Sequence, residues 1–242
     1  MWSLYRKEIA SFFSSVTGYL VAGVFLVLTG LFLWVIPGQM NILFGGYASL
    51  DSLFYLAPWL YLFLVPAVTM RLFADEKRTG TMELLYTRPL SEWHIVVAKY
   101  VAGVTLVVIS LLPTLIYFYT VVQLGNPVGN IDFGGTWGSF IGLLFLSGIY
   151  VAIGVFCSSL TDNQIVSFIM AVLLSFVFYY GFEALSQMVS GSSQSFIVFM
   201  GIDEHYQSMS RGVLDSRDVL YFLSMIWLFM YLTRTVLRSK KW

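Results

Sequence analysis

Between Val16 and Ile36 the chain carries 21 consecutive residues without a charged side chain. At 1.5 Å of rise per residue, a helix of that length crosses a hydrocarbon core of ~30 Å. Five further apolar blocks follow: Leu53 to Met70, Ile95 to Val122, Trp137 to Cys157, Ile165 to Phe182 and Val219 to Leu232. Lipid satisfies no backbone polar group, so a spanning segment must bond internally, as a helix, or close into a barrel. Blocks this long belong to helices. The expected fold is therefore an all-α polytopic membrane protein with six transmembrane helices. The composition agrees, at 58% hydrophobic and 11% charged residues, with a mean hydropathy of +0.81.

Local signals refine the boundaries. Pro37-Gly38 ends the first block, and Pro58 and Pro66 lie inside the second, where prolines are tolerated but kink the helix. Ser91 is a candidate N-cap for the third helix, with Glu92 in its first turn. That helix is longer than a span needs and should tilt or project from the membrane before Gly125-Asn126-Pro127. The expected single domain, 1–242, has spans near 16–36, 53–73, 93–122, 137–157, 165–183 and 219–237. The sixth apolar block is short, and Arg234 is expected to snorkel from its extension. Before the first span, Trp2, Tyr5, Ile9 and Phe12 or Phe13 recur at helical spacing around Arg6, Lys7 and Glu8. Residues 2–13 thus read as an amphipathic helix in the membrane interface, the alternative being an extension of span one. The first apolar block is too long for a cleavable signal.

Six spans put both termini on one side. With that side inside, eleven Lys and Arg are cytoplasmic, and only Arg211 and Arg217 lie outside. The positive-inside rule then places both termini and residues 75–91 in the cytoplasm of a bacterial inner membrane, with 184–218 as an outer loop. The net charge of zero suggests no nucleic-acid partner.

Chemistry-bearing motifs are absent from the sequence. There is no G-x-x-x-x-G-K-[ST] to cradle a phosphate, no H-E-x-x-H and no C-x-x-C; the one cysteine, Cys157, reads as a small buried hydrophobe. No catalytic residue, metal ligand or substrate-binding residue is assigned. No charge falls near the centre of a span; Arg71, Lys99 and Glu183 lie near span ends, where snorkelling suffices. Any transport energy is therefore expected from elsewhere. Asp203-Glu204-His205 cannot all converge on one ion from a regular element, and reads as a solvated loop. Gly134, Gly138 and Gly142 form a small-xxx-small pattern suited to close helix approach, within the chain or between subunits.

The cytoplasmic stretch Asp75 to Ser91 reads DEKRTGTMELLYTRPLS. Two helices, this stretch, and a third helix starting Glu92-Trp93 resemble the membrane subunits of ABC exporters of the second type. Their pattern is an acidic-basic run, Gly-Thr-x-Glu, two aliphatics, Thr-x-Pro and a small polar residue. Glu76, Gly80, Thr81, Glu83, Leu84, Leu85, Thr87, Pro89 and Ser91 match it. The segment His205 to Asp218 resembles that of gliding-motility (GldF-like) permeases and, second, of copper-site maturation (NosY-like) permeases. The resemblance implies a permease that dimerises with itself or a relative and binds a cytoplasmic ABC ATPase. No cofactor is then expected on this chain, and ATP and Mg sit on the partner. The ATPase-coupling residues it implies are Glu76, Gly80, Thr81, Met82, Glu83, Leu84, Leu85, Tyr86, Thr87, Arg88 and Pro89. In physical terms Gly80 is a break, Met82, Leu85 and Tyr86 share one apolar face of a short helix, and Arg88-Pro89 ends it. Such a helix is marginal alone and is expected to dock in a groove of the ATPase. The rival readings are a non-transporting membrane scaffold and an ATP-independent channel.

Overall fold

The computed structural model describes residues 1–86, 91–189 and 191–239, without the side chains of Thr17, Leu84, Tyr86, Ser192 and Ser193. Every element among them is helical. Helix α1 (Trp2–Ser14) turns at Ser15 into α2 (Val16–Gly30), which runs into a π-helical turn, Leu31–Val35. A short α3 (Ile42–Gly45) precedes α4 (Asp51–Thr69) and its near-continuation α5 (Arg71–Arg78); α6 (Met82–Tyr86) follows. Helix α7 (Glu92–Leu111) passes through a 3-10 turn at Pro113 into α8 (Leu115–Leu124). Then come α9 (Phe133–Leu160), α10 (Gln164–Phe176), a π-helical turn leading into α11 (Phe182–Ser186), α12 (Ser192–Phe199), α13 (Ile202–Ser210) and α14 (Ser216–Ser239).

Six stretches among the described residues are long and apolar enough to cross a membrane: Gly18–Val35, Asp51–Arg78, Glu92–Leu124, Phe133–Leu160, Gln164–Ser186 and Ser216–Ser239. The fourth of them, α9, is the central post. Its most apolar window is 78% buried, against 22% for Gln164–Ser186 and 17% for α14. Small residues make this possible. A Cβ on Gly154 would lie 1.9 Å from the Thr69 hydroxyl of α4, and one on Gly103 of α7 would lie 2.8 Å from Val151. Lipid offers no hydrophobic drive between helices, so close approach of this kind holds a bundle together. Several buried hydroxyls are satisfied locally: Thr29, Thr69, Thr114 and Thr233 donate to carbonyls three or four residues back. Large apolar side chains such as Ile165, Ile169 and Leu173 on α10, and Leu220, Leu223 and Trp227 on α14, remain on the surface.

Two expectations change. The buried face of α1 is Leu4, Glu8 and Phe12, whereas Trp2 is 61% exposed. The helix therefore lies against the bundle on a stripe that includes a carboxylate, because a partner for Glu8 waits beneath it. The described part of 184–218, expected as a loop, is largely helical: α13 folds back on α9 and α14, and α12 packs on α11 and α13.

Candidate coupling site

The stretch from Met70 to Tyr86 is built outward from the end of the second span. The Ser158 hydroxyl of α9, wholly buried, accepts from the amides of Phe73 and Ala74 at 3.0 and 3.1 Å and donates to the Met70 carbonyl at 2.9 Å. One side chain thereby stitches the junction where α4 gives way to α5. Helix α5 ends at Gly80, whose φ of +71° is the left-handed conformation that commonly terminates helices. The Gly80 amide donates back to the Lys77 carbonyl at 3.2 Å. After it, α6 makes little more than one turn.

The charged run inside α5 points mostly inward. Glu76 is 7% exposed. Its two oxygens meet Lys7 Nζ at 2.6 Å and Lys99 Nζ at 2.9 Å. Lys99 is wholly buried; it also pairs with Glu8 at 2.9 Å, donates to the Leu72 carbonyl, and lies over the Phe73 ring at 4.9 Å. Two lysines and two glutamates from α1, α5 and α7 thus form one neutral cluster. Removing charges from water costs several kcal/mol per ion unless they are paired and hydrogen-bonded, and here the pairing is reciprocal. The bonds to Glu76 and Glu8 raise the Lys7 pKa above its ordinary 10.5, although desolvation, the largest single influence, pulls the other way. Asp75 accepts from the Gln164 side chain and from Arg78, and Lys77 donates to the Ser159 carbonyl. Arg71 donates to Ser15 at the α1–α2 turn. The run is a clamp that fastens α5 to α1, α7, α9 and α10.

Two of the expected coupling residues, Glu76 and Met82, point inward. Glu76 is spent on the cluster and is not presented to a partner. Met82 is 6% exposed and belongs to the protein's own core, with Leu85 half-buried against it. Apolar side chains on so short a helix gain more from the adjacent bundle than from water. Among the described residues of this stretch, Arg78, Thr79, Gly80, Thr81 and Glu83 are left outward. Leu84 and Tyr86 lie in α6 by backbone alone, and Thr87, Arg88 and Pro89 are outside the described residues. Beyond them, the Ser91 hydroxyl caps α7 by accepting from the His94 amide. Lys99 does not snorkel, contrary to its expected behaviour. Arg234 stacks its guanidinium over Trp93 at 5.2 Å, joining the last helix to the start of α7.

The opposite end of the bundle is packed differently. His205, expected in a solvated loop, is buried; its Nδ1 lies 2.7 Å from Asp218 and its Nε2 2.9 Å from the Phe199 carbonyl, and its ring stacks on Tyr221. Tyr206 donates to the Phe54 carbonyl at 2.9 Å. A Cβ on Gly138 would lie 2.3 Å from the Met209 carbonyl, and one on Gly142 would lie 3.2 Å from Tyr206. The glycine pattern of α9 therefore serves α13 of the same chain. No group of three His, Cys, Asp or Glu among the described residues is arranged to hold a metal ion.

A central helix packed against four of the five other membrane-length helices, with the first of them set against α4 and α7, is the frame of a polytopic membrane protein. The family described as ABC-2 family transporter protein matches residues 60–242, and the chain belongs to that family. Its members form the transmembrane component of ABC transporters and are not themselves the ATP-binding subunit. No curated protein matches the chain.

Proposed function

We propose that this chain is the permease half of an exporter in the inner membrane, energised by a separate cytoplasmic ATPase, with ATP and Mg bound on that partner. In this reading the end carrying both termini and residues 71–86 faces the cytoplasm, two permeases (identical or related) form the working dimer, and the system is linked to gliding motility. Supporting the orientation is the Lys/Arg asymmetry of the sequence; supporting the motility link is only the resemblance of the segment from His205 to Asp218.

The observation that carries the coupling role is the clamp itself. Residues from Arg71 to Lys77 are tied to four helices, and among the described side chains of this stretch those of Arg78, Thr79, Thr81 and Glu83 project, with the Gly80 backbone between them. A push on that tip is delivered to α4 through the Ser158 junction and to α7 through Lys99. A solvated loop kept only for its positive charge has no need of such ties. The decisive test is co-expression with the cognate ATPase. Glu83→Arg combined with Thr81→Arg is expected to abolish co-purification and stimulated ATP hydrolysis, while the unfolding temperature stays within a degree or two of the parent. If both partner readouts survive in that variant, the tip is not where energy enters.

A further inference from the structure

At the end of the bundle remote from the clamp, α4, α9, the π-helical turn Val177–Gly181, α11 and α13 line an open cleft of about 590 Å³. A second of about 310 Å³ adjoins it and shares Tyr179, Glu183, Asp203 and Gln207. One wall is aromatic. Trp59 packs against Tyr179 at 5.5 Å and Tyr180 at 6.0 Å, and Tyr55 stands beside them, 64% exposed. The other wall is acidic, with Asp203 and Glu183 lining both cavities, Asp51 at one margin and Glu204 at another. Arg211 is the one cation among the lining residues. No described lysine or arginine forms an ion pair with Asp203, Glu183 or Glu204.

The contrast with the clamp is informative. There, every buried carboxylate has a lysine. Here, Asp203 is held by neutral donors, Tyr179 and Gln207, the latter at 2.6 Å. Burial raises the Asp203 pKa, and the negative charges of Glu183 and Glu204 raise it further against those two hydrogen bonds. Nearby, the Tyr150 hydroxyl is fully buried without a hydrogen-bond partner, within electrostatic range of Asp203 and Tyr206. Carboxylates short of positive charge, facing a set of aromatic rings, form a receptor for a positive charge with an apolar body. The ring faces attract a cation and the acids supply its counter-charge. A bare metal ion is a poor fit, since no described group of three ligands converges.

We propose that this chamber binds an organic cation, a primary or quaternary ammonium carrying an apolar or aromatic body, as the transported substrate or part of it. The cation sits between Asp203 and Glu183, and its body lies against Trp59, Tyr179 and Tyr180. The inference deepens the export reading by assigning its substrate class. A proton on Asp203 competes with the cation, so affinity falls as the pH is lowered through the raised pKa of that carboxyl. Asp51, Glu183, Glu204 and Arg211 set the field in which it titrates.

The test uses the full chain in lipid nanodiscs, without ATP or ATPase. Tetraphenylphosphonium and tetraphenylborate have nearly the same shape and opposite charge. Saturable binding of the phosphonium above empty nanodiscs is expected, with none for the borate. Glu183→Gln, which disturbs no side-chain hydrogen bond described here, should weaken phosphonium binding about tenfold, and Trp59→Leu should weaken it several-fold. Asp203→Asn should weaken it too and remove its dependence on pH below neutrality. Absence of saturable phosphonium binding, equal binding of the borate, or a Glu183→Gln affinity within twofold of the parent would each overturn the proposal. Such a failure leaves the coupling reading standing, because no ATPase takes part; loss of coupling in the tip variant leaves this binding untouched.

Discussion

The α5 segment at one end of the bundle and α13 at the other are fastened by different kinds of contact. At the clamp end, Lys7, Glu8, Glu76 and Lys99 join three helices through long side chains. At the far end, α13 lies so close to α9 that a single methyl on Gly138 would sit 2.3 Å from a carbonyl oxygen. Ion pairs on flexible stems keep their attraction through a shift of about an ångström, since Coulomb energy changes slowly with distance. A backbone resting on glycine has no such slack, because repulsion rises steeply within a few tenths of an ångström. The ion cluster suits a part that is pushed, whereas α4 at Thr69 and α13 at Met209, which rest on Gly154 and Gly138 of α9, suit a fixed frame.

The largest effect expected from breaking this contrast is at the clamp. Lys99→Met leaves Glu8 and Glu76 buried with only the half-exposed Lys7, and should destabilise the protein by about 3–5 kcal/mol. Unfolding temperature in detergent measures it, with Arg78→Ala, an exposed charge, as the near-neutral reference. A loss no greater than that of Arg78→Ala would remove the clamp from the account. At the far end, Gly138→Ala should cost about 1–3 kcal/mol by forcing α13 away. Gly23→Ala, where a Cβ meets no atom within 4 Å, should be neutral or slightly stabilising in the same assay. Equal behaviour of the two alanine variants would mean that α9 and α13 are not in such close register.

Smaller effects sharpen the picture at the junction. Ser158→Ala orphans two amides and should cost about 1–3 kcal/mol, with faster hydrogen exchange confined to Phe73 and Ala74. Gly80→Ala should cost about 1 kcal/mol, from the left-handed backbone alone, since a Cβ there meets nothing. The smallest effect is alkaline. The Lys7 pKa is raised above 10.5 in the folded chain. Its contribution is therefore complete below pH 10.5 and is lost as the pH rises through the raised value. In Lys7→Met that part of the alkaline destabilisation should be missing from a pH-resolved melting series.

Much of this was legible in the primary structure, for reasons that are local. A block of 21 uncharged residues implies a span because backbone bonding and bilayer thickness leave little choice. Ser91 before Glu92 announces a cap, and Gly80 a break, because both depend on residues within one turn. The clamp was not legible. Glu8 and Lys99 are 91 positions apart, and Glu76 and Lys7 are 69 apart. Nothing near Lys99 in the chain distinguishes a lysine that snorkels from one that finds two carboxylates. The apolar spacing of Met82 and Leu85 correctly marks a sticky face, yet spacing does not say whether that face is offered outward or used at home. His205 and Asp218 fall in one recognisable motif, but their pairing needs α13 and α14 to fold against each other.

The sequence by itself determined that this is a six-helix membrane protein with a short charged hairpin after its second span. Those features follow from how far a helix rises and what lipid refuses to solvate. Only the tertiary structure decided which charges are structural and which are left without a counter-charge. That distinction depends on which faces of distant helices meet: lysines lie over the glutamates at one end, and no described lysine pairs with Asp203 or Glu183 at the other.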